Sequence, residues 1–278
     1  MAGNPVQDQM LETFVKYASI DSQSNENIQC TPGQHDMALA LKADVEDAIA
    51  RNGAKGVTVV LSEHNYLYVR IPANVRTQCP SLGISCHLDV TPDRPGFGIR
   101  PIIDTLDGHT IVRTDGTTLL GADDKCGCTI QPWTFEQEEK GIDVTVQTRI
   151  RYFDKAEGER FDRIIKDGLA RVAREFPNVR TEILFDGLQY ENVAYTLHPR
   201  AQELIENAAA KTGKQIRFID ERAGTTASMF AAKGLNGGMC LFSGQHEIHS
   251  VREYADLQEM EEAYNLMLEV IRQIPALK

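Results

Sequence analysis

Short apolar or β-branched runs alternate with helical stripes along this chain, and a chain patterned that way has few folds open to it. The runs Val57-Thr58-Val59-Val60-Leu61, Tyr66-Leu67-Tyr68-Val69-Arg70, Ser81-Leu82-Gly83-Ile84-Ser85-Cys86, Ile216-Arg217-Phe218-Ile219 and Gly238-Met239-Cys240-Leu241-Phe242 have strand length and strand composition. Asn65 suits a turn between the first two, which predicts a hairpin. Apolar residues at helical spacing mark helices around Met10 to Tyr17, from Thr31-Pro32-Gly33 to Gly53, and over Phe161 to Phe176, Pro199 to Ala210, Ala227 to Ala232 and Leu257 to Ile274. Strands alternating with helices predict an α/β fold, a mostly parallel sheet with helices on both faces. Val144 to Tyr152, the helix after it and Arg180 to Phe185 form a β-α-β unit that reads as a small α+β insert.

Composition narrows the function classes. The 278 residues are enough for one large domain with a small insert. With 29 Lys and Arg against 40 Asp and Glu, the net charge of -11 argues against a nucleic-acid partner and against an anionic membrane surface. Cys30, Cys79, Cys86, Cys126, Cys128 and Cys240 include no Cys-x-x-Cys pair, and they read as reduced thiols in a cytoplasm. Met1-Ala2-Gly3-Asn4-Pro5 opens without an apolar leader, and no stretch is long and apolar enough to span a bilayer.

Chemistry-bearing residues cluster at the predicted strand ends, where sites form in α/β sheets. His87 and Asp89 follow the apolar run 81–86, and a strand's period of two puts both on one face. A carboxylate so placed fixes an imidazole's tautomer and raises its basicity as a metal ligand. A histidine satisfied at a strand terminus is the plainer account of the same pair. Gly121-Ala122-Asp123-Asp124-Lys125, Gln137-Glu138-Glu139-Lys140 and His246-Glu247-Ile248-His249 add carboxylates and imidazoles, the nitrogen and oxygen donors that zinc takes. For Glu138 and Glu139 a solvated acidic patch is the competing account, for Arg222 a surface ion pair, and for Cys86 a small core residue.

The chain resembles the peptidase T branch, the tripeptide aminopeptidases, of the dinuclear zinc peptidases that also include carboxypeptidase G and the aminoacylases. The resemblance rests on Tyr17-Ala18-Ser19-Ile20-Asp21-Ser22-Gln23-Ser24, His87-Leu88-Asp89-Val90-Thr91-Pro92-Asp93, Thr114 to Lys125, Arg222-Ala223-Gly224-Thr225 and Gly244-Gln245-His246-Glu247-Ile248-His249. It implies a zinc-exopeptidase-like fold, with a catalytic domain over 1–142 and 195–278 and a truncated lid or dimerisation insert over 143–194, which allows a homodimer. It also implies one or two zinc ions per chain, held by His87, Asp123, Glu139 and His249 with His246 as competitor for the last place. Asp89 orients His87, Glu138 is the general base, Arg222 contacts the substrate carboxylate, and the Asp123–Asp124 bond is a cis peptide. The implied reaction is release of the N-terminal residue from short peptides in the cytoplasm.

Several positions depart from that pattern. Pro132 interrupts the stretch between Asp123 and Glu138, where the family has a complete helix. No segment matches the metal-binding Asp that follows the Glu pair; Asp143 and Asp154 are nearby carboxylates, but Asp154 in Tyr152-Phe153-Asp154-Lys155 reads as part of the insert strand. The Gly-Gly-Thr-Asp-Gly run expected after the arginine is Ala223-Gly224-Thr225-Thr226-Ala227. These departures leave an impaired peptidase and a catalytically inactive relative with a binding or assembly role as the two expectations.

Overall fold

The computed structural model describes residues 4–25, 27–90, 96, 98–113, 128–138, 141–184, 187, 190–221, 223–235, 238–248 and 252–277, with the backbone alone over 128–138 and 141–149. Helix and sheet are mixed, and the chain divides into one unit of residues 1–121, 202–215 and 241–278 and a second of 122–201 and 216–240.

In the first unit the helices begin where capping chemistry starts them. Asn4 accepts from the Val6 N–H at 3.1 Å and opens α1, Pro5–Ala18. Thr31 and Gln34 form a reciprocal capping box at 3.2 and 2.7 Å that opens α2, Pro32–Asn52, which ends at Gly53. Lys16 donates to Asp44 at 2.5 and 2.7 Å and the Tyr17 hydroxyl donates to it at 2.6 Å, so one carboxylate joins α1 to α2. Those donors hold the Asp44 carboxyl below the usual carboxylate range, the Lys16 hydrogen bond first. Burial pushes the Tyr17 phenol up.

Strands β1, Thr58–Leu61, and β2, Leu67–Arg70, form the expected hairpin, with Val60 opposite Tyr68. A second sheet has the order β3-β4-β8-β7, from Ile102–Leu106, His109–Arg113, Tyr254–Asp256 and Gln245–His246. Asp107 and Gly108, both at positive φ, make the two-residue turn between β3 and β4. Helix α6, Leu257–Gln273, covers this sheet, and Ile111, Val112, Ala255, Leu257, Leu266 and Val270 are buried. Asn4 and Gln7 of α1 donate to Glu261 of α6 at 2.7 and 2.8 Å. Helix α4, Ala201–Lys211, is tied to α6 by Lys211 and Glu269 at 2.8 Å, and Lys214 pairs with Glu262.

In the second unit β5, Cys128–Glu138, and β6, Gly141–Ile150, form a hairpin. Helix α3, Lys155–Glu175, follows, with a short α5, Thr226–Ala232. Pro132 lies within β5 opposite Val146, and the register shifts between Trp133 and Phe135. A two-stranded ladder has an open edge on each strand, where a residue without an N–H is tolerated, so the proline does not stop the strand.

Several strand expectations are corrected. Every ladder among the described strands is antiparallel, in place of the expected parallel sheet. The runs 81–86, 216–219 and 238–242 carry no ladder, and most of their residues are exposed. Among the described residues the one parallel contact is an isolated bridge between Gln23 and Val90. An apolar run states only a capacity to pair, and a ladder needs a partner at the right distance. The expected strand 180–185 is likewise absent over its described residues, and Asp154 is the N-cap of α3, accepting from Ala156 N–H at 2.7 Å, in place of its expected strand position.

Two consequences are measurable. Asp44→Asn should lower stability by about 1 kcal/mol at neutral pH, the upper range for a pair this exposed. Because the folded carboxyl is depressed, the difference is fully present above the unfolded carboxylate pKa. It disappears as pH falls through the lower folded value, where the parent is neutral too. Urea unfolding of both proteins across that acid range checks the sign. Gly244 has φ 73, and a Cβ there would stand 2.5 Å from Asp256 O and 2.9 Å from Met260 N. Both neighbours are backbone, so Gly244→Ala should cost more than about 2 kcal/mol in thermal or chemical unfolding.

Candidate metal centre

His87 and Asp89 lie in the segment that leads to Val90. Val90 N–H donates to Ser22 O at 3.2 Å and Ser24 N–H donates to Val90 O at 3.0 Å, so the 17–24 motif and the His-x-Asp motif meet through backbone. Thr31, the cap of α2, donates its hydroxyl to Gln23 O at 2.8 Å and fixes the same segment from the other side. Among the described residues, Ser22 Oγ and Asp21 Oδ1 are buried without a hydrogen-bond partner.

The His87 ring is 80 % exposed, and its Nδ1 lies 2.8 Å from Asp89 O and 3.2 Å from Asp89 Oδ1. Both partners are acceptors, so the proton of a neutral ring belongs on Nδ1 and the lone pair on Nε2. An outward imidazole with its other nitrogen held by a carboxylate is the donor arrangement that a zinc ion takes. On that chemistry the pair fits the metal that the family resemblance implies.

Of the other sequence-derived residues, Asp123, Glu139, Arg222 and His249 lie outside the described residues, as does the Asp123–Asp124 bond. Glu138 is the last residue of β5, opposite Gly141, and belongs to the second unit, whereas His87 and Asp89 belong to the first. Asp143 is in β6 opposite Glu136. Among the described residues no three His, Cys, Asp or Glu side chains are grouped so as to hold a metal.

Of the two late histidines, His246 is among the described residues. His246 Nε2 lies 2.8 Å from Glu259 Oε2, and its ring stacks on Tyr254 with centroids 4.8 Å apart, which binds it into the β8–α6 packing. Glu247 follows β7 with a left-handed backbone, φ 52. Sequence reading missed the His109–Asp256 contact at 2.7 Å, which joins two distant segments with no local pattern to announce it. It also missed β3, whose signal was the Asp107-Gly108 turn dipeptide between two runs of Ile and Thr.

Comparison with known proteins places the chain. Peptidase T of Bacillus licheniformis is 32% identical over 149 residues, 44% of this chain and 36% of that protein. Peptidase T of Vibrio parahaemolyticus is 34% identical over 147 residues, 42% of this chain and 34% of that protein. These alignments span about a third of the length of the curated relatives. Among solved structures, the aminopeptidase PepT of Bacillus cereus superposes with a TM-score of 0.56 at 15% identity, over 96% of this chain and 98% of that one. A tripeptidase of Staphylococcus aureus gives 0.62 at 14% identity, over 97% and 99%. At those identities the likeness is one of fold. Residues 14–273 match the sequence profile of Peptidase family M20/M25/M40, and the chain belongs to that family.

Proposed function

We propose that the chain is a zinc-dependent exopeptidase of the peptidase T kind, releasing the N-terminal residue from tripeptides, with turnover below that of a complete site. The observation that carries this reading is the His87–Asp89 couple: an exposed ring whose Nδ1 is taken by Asp89, within a motif that meets the 17–24 segment. In this reading His87, Asp123, Glu139 and His249 hold the metal, and the engagement of His246 with Glu259 supports His249 over it. Zinc, when bound, acidifies a water and polarises the peptide carbonyl. Asp89 keeps the His87 proton on Nδ1, so that Nε2 stays a donor through the reaction. Glu138 accepts the proton of the attacking water and returns it to the leaving amine. Arg222 pairs with the carboxylate of the peptide, which fixes how far its N-terminus reaches.

Residues 1–142 and 195–278 form the catalytic domain in this reading, and 143–194 a shortened lid that serves dimerisation. The free Cys30, Cys79, Cys86 and Cys240 accord with a cytoplasmic setting. Among the described residues no helix is long and apolar enough to cross a membrane. A second reading, an inactive relative that binds or assembles, is favoured by Asp154. Its carboxylate caps α3, which leaves the further metal-binding position without that occupant.

Metal content and tripeptide hydrolysis on the same preparation decide between them. The expected result is about one zinc ion per chain with slow hydrolysis, since a second ion lacking a charged ligand is held weakly. Vigorous hydrolysis with two ions per chain would overturn the weakened site, and neither zinc nor hydrolysis would overturn the peptidase reading. His87→Ala should abolish zinc binding, and Asp89→Asn should weaken it roughly 10–100-fold, read by competition with a chromophoric chelator.

A further inference from the structure

A ring as exposed as that of His87, at 80 %, keeps one orientation and one tautomer only if an acceptor is held still beside it. The nearer of its two acceptors belongs to the main chain, since Nδ1 lies 2.8 Å from Asp89 O and 3.2 Å from Asp89 Oδ1. Asp89 O and the Val90 N–H are the two ends of one peptide group. That N–H donates to Ser22 O at 3.2 Å, and Val90 O accepts from Ser24 N–H at 3.0 Å. The bond is trans, and a trans peptide is planar with its N–H and C=O pointing opposite ways. An anchor on the Val90 N–H therefore sets the direction in which the Asp89 carbonyl faces.

The anchor is itself held by the start of α2. Gln23 lies between the two residues that bond Val90, and its carbonyl accepts from the Thr31 hydroxyl at 2.8 Å. The same hydroxyl accepts from Gln34 N–H at 3.2 Å as the cap of α2. Thr31 thus has two separable tasks, one as acceptor for the helix and one as donor to the 22–24 segment. Two residues on, a Cβ on Gly33 would overlap the Asp21 carbonyl, so the first turn of α2 lies directly against the backbone that leads into this segment. Ser22, beside that contact, is fully buried. The 21-residue helix is the fixed body, and from it the 22–24 segment and then the Asp89–Val90 peptide take their places.

We infer that Thr31 is a positioning residue for the metal-binding imidazole: through Gln23 it holds the 22–24 segment, which turns the Asp89 carbonyl onto His87 Nδ1 and leaves Nε2 to the metal. This rests on the proposed function, in which His87 is a zinc ligand. A threonine that only capped α2 would be replaced without loss by aspartate, a cap of equal or better rank. An ionised aspartate has no proton to donate, and it sets a carboxylate against the Gln23 carbonyl.

The experiment compares the full chain with its Thr31→Ser, Thr31→Asp and Gly33→Ala variants. Zinc affinity is read by competition with a chromophoric chelator, and the tautomer by nitrogen NMR of zinc-free protein labelled in histidine, where the ring is neutral. The His87 signals are those missing from His87→Ala. The parent and Thr31→Ser should both carry the proton on Nδ1. Thr31→Asp should keep the unfolding midpoint of the parent, yet shift His87 toward the Nε2–H tautomer and weaken zinc about tenfold, the low end for loss of an orienting partner. Gly33→Ala displaces the same segment without touching the hydroxyl, and its folded fraction should change in the same direction. Thr31→Asp protein that matches the parent in tautomer and zinc affinity would overturn the inference, as would a parent ring protonated on Nε2. A parent that binds no zinc, but whose Nδ1–H ring is lost in Thr31→Asp, overturns the proposed metal site while the placing of the ring by Thr31 stands. A parent that binds zinc through a ring indifferent to Thr31 does the reverse.

Discussion

Asp256 is the joint on which the first unit turns. It ends β8, and its carboxylate accepts from Gln258 and Glu259 at the start of α6, at 2.9 and 3.1 Å, with His109 of β4 at 2.7 Å on its other oxygen. Its backbone N–H donates to Gly244 O at 2.7 Å, which brings in the chain just before β7. Asp256 is buried, its side chain 9 % exposed, and such a carboxylate is costly unless its oxygens are filled, as both are here. Sheet and helix are therefore fixed to each other at one point, and α1 and α4 attach to the helix so fixed through Glu261 and Glu269.

Helices were legible because their ends are written locally. Thr31, Pro32, Gln34 and Gly53 are all within a turn of the boundaries they set, and Asn4 and Pro5 do the same for α1. Strands were less so, since pairing depends on residues far along the chain. Ser81 to Cys86 has strand composition and no ladder, whereas β5 holds a proline and is the longest strand described. Asp154 shows the same limit from the other side. Its neighbours Tyr152 and Phe153 suggested a continuing strand, but a helix start three residues wide outweighed them.

The candidate site divides along the same line. His87 and Asp89 are two residues apart, so their contact follows from local geometry, and it could be read from the sequence. His246 shares its motif with His249, yet its partner Glu259 comes from α6, and only the packed structure assigns it. Motifs announce the groups that do chemistry, while the groups that hold them in place are found through packing.

The β1–β2 hairpin bears on how this protein behaves at high concentration. Val60 and Tyr68 face each other across the ladder at 54% and 60% exposure, and among the described residues neither strand has a second neighbour. Such an edge with apolar side chains is a template for pairing between molecules. What opposes that is mutual repulsion from a net charge of -11. The repulsion fades with added salt and near the pI of about 5.1, so colloidal stability in this chain is an electrostatic property resting on an adhesive strand.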